Sequence, residues 1–519
     1  MCGGRSFAIG APIDRAPGRV SLLRPPRRLR LLHILTRLLL LAAALTCVYF
    51  SAMGAVFIFR ERSANSVPQS LSRVPAPIRS TRLLVFAPHC DDETLGCAGL
   101  AMQTLQAGGA VRVAIITNGD GFRAAVERQV RDLTVRPEDY IRFAALRQQE
   151  SYRALGLLGI PRSDVLFFGY PDQGLKQLWT ADWSRDHPFT SRYTRRSSSP
   201  YAITFDPRAV YCGHDLIEDI KTSMRQFRPT LVAVTHPAED HPDHAAAASF
   251  VQLALAELQA DPREIWSRQT QLKFYLVHRG DWPLPQGRHL DLPLGPPAAM
   301  AHVDTHWTTL PLTPRETRSK LRSIGKYASQ MALMGRFLNS FARSTELLGD
   351  MPNVQLPVAA GHAITVDSRS ADWSLITPLL VDPLRDNVLR DLQGGGDIVA
   401  VYGCRRGGRL CLRLDARRPI GGRIQYGFTL RAIGTAGQTA TAALALSVRG
   451  GDEGSQREHG LECSSRGRTL LVSVPWRELE QECGAQDIAW LSVEAETSLG
   501  GVSIDRTGTR LISVGSEIR

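Results

Sequence analysis

The chain has 519 residues, 43% hydrophobic and 22% charged, and a net charge of +12. That length exceeds one ordinary core at ~150 residues per domain, and the composition excludes disorder throughout. The charge does not mark a nucleic-acid binder. Arg5, Arg15, Arg19, Arg24, Arg27, Arg28, Arg30 and Arg37 against Asp14 place +7 ahead of residue 38, which leaves +5 for everything after it.

A basic stretch ahead of an apolar run is a topology signal. Residues 38–59 are 22 in a row without a charge, and a spanning helix needs ~20. A cleaved signal peptide is the alternative, and Ala52, Gly54 and Ala55 would suit cleavage. Its apolar part should be only ~7–15 residues long. We therefore expect a transmembrane anchor at 38–59 and a basic cytoplasmic tail at 1–37. The positive-inside rule then places the rest of the chain beyond the membrane. Residues 60–80, rich in Ser and Pro, read as a linker.

From 81 to 350 short apolar runs alternate with helical patterns. Buried strands are expected at 83–87, 111–116, 165–168, 231–234 and 272–277, and helices at 93–107, 139–157, 214–227 and 244–259. This alternation predicts a Rossmann-like, mostly parallel sheet covered by helices. Residues 181–210 are polar, aromatic and Arg-rich without a period, and read as a loop. Residues 314–348 read as helical again, and 351–384 as a connector. From 385 to 519 short alternating runs between Gly-rich turns predict a β-sandwich. Of nine cysteines, Cys2 lies in the tail and Cys47 in the apolar run. Cys404, Cys411, Cys463 and Cys483 could pair in an exported chain or stay as buried thiols.

Two clusters carry chemistry. The first, Pro88, His89, Cys90, Asp91, Asp92 and Glu93, directly follows the first strand. Ligands of open α/β sheets bind beyond the carboxyl ends of strands. His89 and Asp92 suit a borderline-to-hard metal, and a neighbouring carboxylate that binds no metal could act as general base. Two acids in a row are otherwise commonly a helix cap. The second cluster, residues 236–244, has three histidines (His236, His241, His244) and three acids (Glu239, Asp240, Asp243) after the fourth strand, at the same sheet edge. With 13 histidines in the chain, this concentration favours a three-ligand site with an open position, the catalytic zinc pattern. A zinc-bound water would then attack a carbonyl.

These residues resemble the PIG-L/LmbE-type N-acetylglucosaminyl deacetylases, whose motifs are His-Pro-Asp-Asp-Glu and His-Pro-Asp-His. The matches are 89–93 and 241–244. Shorter echoes fall at 117–120, 147–150, 169–172, 327–330 and 341–343 ahead of Glu346, so the resemblance covers roughly 82–350. It implies that His89, Asp92 and His244 bind Zn2+ or another divalent metal. It also implies that Asp91 is the general base, and that His241 stabilises the oxyanion or protonates the leaving amine. Asp243 would orient a histidine. Arg147 and Glu150 would support the site or touch substrate, with a surface salt bridge as the bland reading. Asp120 and Asp172 would contact sugar hydroxyls or shape turns. Cys90 replaces the family's proline and is expected to be a spectator. A Cys90–Cys97 disulfide would strain the loop and is not favoured.

The resemblance implies removal of an N-acetyl group from an acetamido sugar in a glycan or glycolipid. Two other readings are a degenerate, glycan-binding membrane protein and a metallohydrolase of a different amide. Trp476 and Trp490 of the sandwich are either carbohydrate contacts or core.

Overall fold

The computed structural model describes residues 36–42, 44–48, 71–132, 134–358, 373–384, 394–434, 443–452, 454–455, 460–485 and 487–515. The chain divides into two compact units, Met1–Asn65 and Ser66–Arg519. Most of the tail, much of the 38–59 run and most of the linker lie outside the described residues. Residues 36–42 and 44–48 are helical. Among the described residues no helix is long and apolar enough to cross a membrane.

In the second unit a short strand β1 (Ser72–Arg73) precedes β2 (Arg82–Ala87), β3 (Ala110–Thr117), β4 (Val165–Tyr170), β5 (Leu231–Thr235) and β6 (Gln271–Tyr275). Strands β2 to β6 coincide with the expected apolar runs. The helices α1 (Asp92–Gln106), α3 (Pro137–Leu157), α5 (Gly213–Phe227) and α6 (Pro242–Ala260) coincide with the expected periodic stretches. Two short helices, α2 (Arg123–Val130) and α4 (Leu175–Thr180), were not legible. Strand β2 explains why such runs look uniformly apolar: both of its faces are covered. Leu83, Val85 and Ala87 enter a core with Leu95 and Ala98 of α1, while Leu84 and Phe86 enter another with Leu216 and Ile220 of α5 and Val251 of α6.

The stretch 314–348 is a correction. It holds α7 (Pro314–Ile324) and α8 (Ala328–Asn339), but Thr345–Asp350 is a strand, β8. It pairs antiparallel with β6 and with β7 (His306–Pro311). Glu346, Leu347 and Leu348 favour helix locally, yet insertion between two open strand edges supplies backbone partners that outweigh the preference. The sheet order is β1-β7-β8-β6-β5-β2-β3-β4, parallel across β6-β5-β2-β3-β4. From β2 the chain builds outward through β3 and β4, then crosses back to β5 and β6 on the other side. The order therefore reverses between β2 and β5, which makes their carboxyl ends the switch point where such sheets bind ligands.

Helix α1 packs closely on β6. A Cβ at Gly96 would lie 2.2 Å from the Tyr275 ring, and that ring is pinned because its hydroxyl donates to the Phe86 carbonyl at 2.8 Å. Gly96→Ala is expected to lower stability by ~1–3 kcal/mol, as overpacked cores do. Gly156→Ala, whose Cβ meets nothing within 4 Å in helix α3, should be neutral or gain ~0.5–1 kcal/mol. Urea midpoints that move equally for the two variants would refute this account.

The remaining strands form two mostly antiparallel sheets around one core. One holds β10 (Leu380–Val381), β11 (Ile398–Arg406), β12 (Arg409–Ala416), β15 (Gly454–Ser455), β16 (Glu462–Arg466) and β17 (Thr469–Pro475). The other holds β13 (Ile424–Gly434), β14 (Leu444–Arg449), β18 (Ile488–Leu499), β19 (Val502–Arg506) and β20 (Arg510–Val514). It also takes in β9 (Val354–Leu356), which pairs parallel with β20. Leu412, Leu414 and Val472 of the first sheet meet Tyr426, Phe428 and Val493 of the second. Strands β9 and β10 lie within the stretch read as a connector. The helix α9 (Trp476–Cys483), which follows β17, was not expected in an all-β stretch.

This sandwich shares packing with the α/β core. Ile433, Trp490 and Leu511 pack into the cluster around Phe250. The buried Arg431 guanidinium lies 3.8 Å from the Trp183 ring centroid and donates to the Trp179 carbonyl. Lys176 pairs with Glu496 at 2.8 Å. Trp490 thus packs against the α/β core, and Trp476 is a core residue beneath Arg405.

Candidate metal and catalytic site

The loop after β2 and the loop after β5 meet because their strands are neighbours. His89 and His244, 155 positions apart, approach to 3.1 Å between His89 Nδ1 and His244 Nε2. Asp92 Oδ2 completes a triangle, 3.3 Å from His89 Nδ1 and 3.2 Å from His244 Nε2. Ligands ~2.0–2.1 Å from a tetrahedral ion stand about 3.3–3.4 Å apart, so the three atoms already have the spacing of a metal's ligands. All three side chains are buried. Two imidazoles and a carboxylate fit a divalent ion with an open position.

The remote nitrogen of His89 faces two carboxylates. Asp172 Oδ1 is 3.2 Å and Asp243 Oδ2 3.4 Å from His89 Nε2. A proton held there leaves the Nδ1 lone pair free to face the triangle. Each acid is itself held by backbone amides. Asp172 accepts from Gly121 N at 2.7 Å, and Asp243 from Gln173 N at 2.6 Å and Leu175 N at 3.1 Å. Asp120 sits one layer further in, accepting from Asp172 N at 3.3 Å. Burial, then the Asp172 charge, pushes the Asp120 carboxyl up to about 7.

Asp91 occupies the cap position of α1, yet its side chain makes no capping bond. Its backbone is at φ 133°, a region that non-glycine residues rarely enter. Surrounding contacts hold it there. Asp91 N donates to Glu93 Oε2 at 3.0 Å, and Thr94 N and Leu95 N donate to the Asp91 carbonyl at 2.9 Å. Strain kept in place by such contacts is typical of working residues. Burial raises the Asp91 carboxyl well above the ordinary range, against the pull of Arg147, whose Nη2 lies 3.6 Å from Asp91 Oδ1.

Arg147 is buried, so the surface-salt-bridge reading fails. It donates to the Cys90 carbonyl at 2.6 Å and the Gly119 carbonyl at 2.9 Å, tying the loop after β2 to the loop after β3. Gly119, at φ 64°, must be glycine, since a Cβ would lie 1.5 Å from Arg147 Nη1. Glu150, one turn on, accepts from Ser329 N and Ser329 Oγ at 2.9 and 2.6 Å. The Cys90 side chain joins the hydrophobic core and burial pushes its thiol up to about 12, while Cys97 is a separate buried thiol.

His241 caps α6, its Nδ1 accepting from Asp243 N at 3.2 Å. Its ring centroid is 4.7 Å from that of His89. Burial, then the neighbouring His89 and His244, lowers it well below the usual histidine range. A neutral His241 thus carries its proton on Nε2. His236, counted in the second cluster, is structural. It bonds Thr305 Oγ1 at 2.9 Å and lies against Trp307.

One neighbour, His278, escaped the sequence reading, while Glu239 and Tyr327 were marked there without their partners. His278 follows β6, its ring centroid 4.9 Å from His244 and stacked on Phe337 at 5.5 Å. Burial, then His244, lowers it to about 3. Asp92, His244 and His278 can converge on one ion, as can His89, His241 and His244. Glu239 accepts from Val277 N and His278 N and so positions that loop. Tyr327 donates to Glu93 Oε1 at 2.6 Å. The position of His278 after a strand end was the available signal, but a lone histidine there lacks a motif.

The sheet and this cluster define an α/β domain with a divalent-metal type of site at its switch point. That domain is a PIG-L family domain: the family model described as GlcNAc-PI de-N-acetylase matches residues 84–255. No curated protein matches the chain. Solved structures it resembles include the antimicrobial A40926 pseudoaglycone deacetylase, at 20% identity over 52% of this chain and 96% of that one, TM-score 0.33. Another is N,N'-diacetylchitobiose deacetylase from Pyrococcus horikoshii, at 16% identity over 50% and 76%, TM-score 0.31. A third is the 4-carboxy-2-hydroxymuconate hydratase from Pseudomonas putida, at 15% identity over 54% and 100%, TM-score 0.33.

Proposed function

We propose that the protein is a membrane-anchored, metal-dependent N-deacetylase acting on an acetamido sugar in a glycan or glycolipid. The observation that carries this reading is the triangle of His89, Asp92 and His244, flanked by Asp91 and His241 in a PIG-L domain. The de-N-acetylase description of that family supports the acetamido-sugar substrate. The anchor rests on the charge-free 38–59 run. Leu38, Leu39, Leu40, Leu41, Leu45 and Val48 of its described part are each more than half exposed, apolar surface that a bilayer would cover.

His89, Asp92 and His244 would hold the ion, zinc or another divalent metal. When bound, the ion supplies Lewis acidity toward the acetamide carbonyl and acidifies a water. The chain's own residues do the rest. Asp91 takes the water's proton on its carboxylate, helped by the burial that makes it more basic than an exposed acid. His241 donates its Nε2–H to the carbonyl oxygen as charge develops, a contribution of ~2.7–4 kcal/mol for such a donor. The proton on Asp91 then passes to the departing sugar nitrogen, so acetate and a free amine result. Asp172 and Asp243 hold the His89 ring throughout.

The test uses the full-length chain in detergent. Acetate release is followed from N-acetylglucosamine oligosaccharides and lipid-linked acetamido sugars. We expect a chelator to abolish release and zinc to restore it. The zinc-loaded form should also melt higher, gaining ~4 kcal/mol at about 1,000 times the dissociation constant. His244→Ala should lose both the release and the zinc-dependent shift. A folded, zinc-loaded protein that releases no acetate from any of these substrates would count against the reading and favour a glycan-binding role.

A further inference from the structure

A second site lies among α2, α3 and α8, an open cavity of about 690 Å³. That is the size of small-molecule sites, which run ~300–1,000 Å³. Ala125, Leu146, Ala328 and Ala332 give it an apolar wall, and the exposed Arg128, Arg131 and Arg153 also line it. None of these three arginines makes an ion pair among the described residues. The acids near them in sequence are engaged elsewhere. Glu127 pairs with Arg123 at 2.6 Å, and Asp132 accepts from Thr134 N at 2.9 Å. Glu150 is the one acid in the lining, and both of its oxygens are taken by Ser329.

Arginines placed around a concave, half-apolar space without counter-ions match a planar or tetrahedral oxyanion, which several N–H groups can clasp at once. The bland alternative for Arg128 is that it complements the C-terminal end of α2, where cations are favoured. That account covers neither Arg153, which lies on another helix ahead of the last turn of α3, nor the cavity between them. We propose that this cavity binds a phosphate-bearing small molecule. The phosphate sits among Arg128, Arg131 and Arg153, and the rest of the ligand lies on the alanine and leucine wall. The site is separate from the catalytic triangle, although Glu150 in its wall lies one helical turn from Arg147, which braces the metal loop.

The experiment is titration calorimetry on the full-length chain with inorganic phosphate, glucose 6-phosphate and glucose. It is run on the wild-type chain and on His244→Ala, so that phosphate held at a catalytic metal is told apart. Glucose 6-phosphate should bind to both chains, at least ten times more tightly than phosphate alone, and glucose should not bind. Arg128→Ala and Arg153→Ala should each weaken binding tenfold or more. Arg268→Ala, an exposed arginine elsewhere, should leave it unchanged. If Arg268→Ala weakens binding as much as the pocket variants, the attraction is general surface charge and the proposal falls. It falls equally if binding is absent at millimolar ligand or vanishes in His244→Ala.

Discussion

Asp91→Asn is expected to cut acetate release by about 10²–10⁴-fold, the contribution of a positioned general base, while zinc content stays at the wild-type level. The substitution removes the proton acceptor but keeps the size of the side chain. Asparagine has the same branching as aspartate, so it places the same steric demand on the backbone held at φ 133°. The triangle of His89, Asp92 and His244 does not include Asp91, so the ion should be retained. The acid test is to measure zinc and turnover on the same sample. Loss of zinc in parallel with activity would make Asp91 a ligand rather than a base. Full activity would remove it from the chemistry altogether.

Lys320→Met should destabilise the α/β domain by about 3–5 kcal/mol, since it strands a buried charge. Lys320 Nζ lies 2.7 Å from Glu346 Oε1, and both side chains are almost fully buried. Glu346 also accepts from Gly99 N at 2.7 Å and Leu100 N at 2.9 Å, so this carboxylate of β8 fastens the middle of α1. Helix α1 begins at Asp92, and its anchorage bears directly on the metal loop. Adding Glu346→Gln to Lys320→Met should recover part of the loss, because a neutral amide oxygen still accepts from the helix. Urea unfolding of the single and double variants decides it. A single-variant cost under ~1 kcal/mol would mean the pair is solvated and ordinary.

Much of this site was legible because its chemistry is local. Residues 89–93 and 241–244 are short, contiguous and rich in ligand side chains. The strands that carry them are apolar on both faces, which a sequence displays directly. The linear chain therefore specified the triangle, its base candidate and the edge of the sheet where both loops emerge. It also marked Arg147, Glu150, Asp172 and Asp243, though without their partners.

What the sequence could not display depends on contacts between distant segments. His278 enters the cluster only because β6 lies beside β5. Glu93 owes its partner Tyr327 to α8 folding back across the domain. Asp172 reads as a turn residue until β4 and β2 bring it to His89 Nε2. Strand β8, with helix-forming residues, became a strand because two edges waited for it. Arg431 would be taken for surface charge, yet it is buried over Trp183 where the sandwich joins the α/β core. The sequence by itself determined the candidate ligand residues and the strands that present them, because residue identity and periodicity are properties of neighbouring residues. Only the tertiary structure determined the pairing of Asp172 with His89, the place of His278 and the arginine-lined cavity, because these arise when strand order and helix packing bring far-separated side chains within a few ångströms.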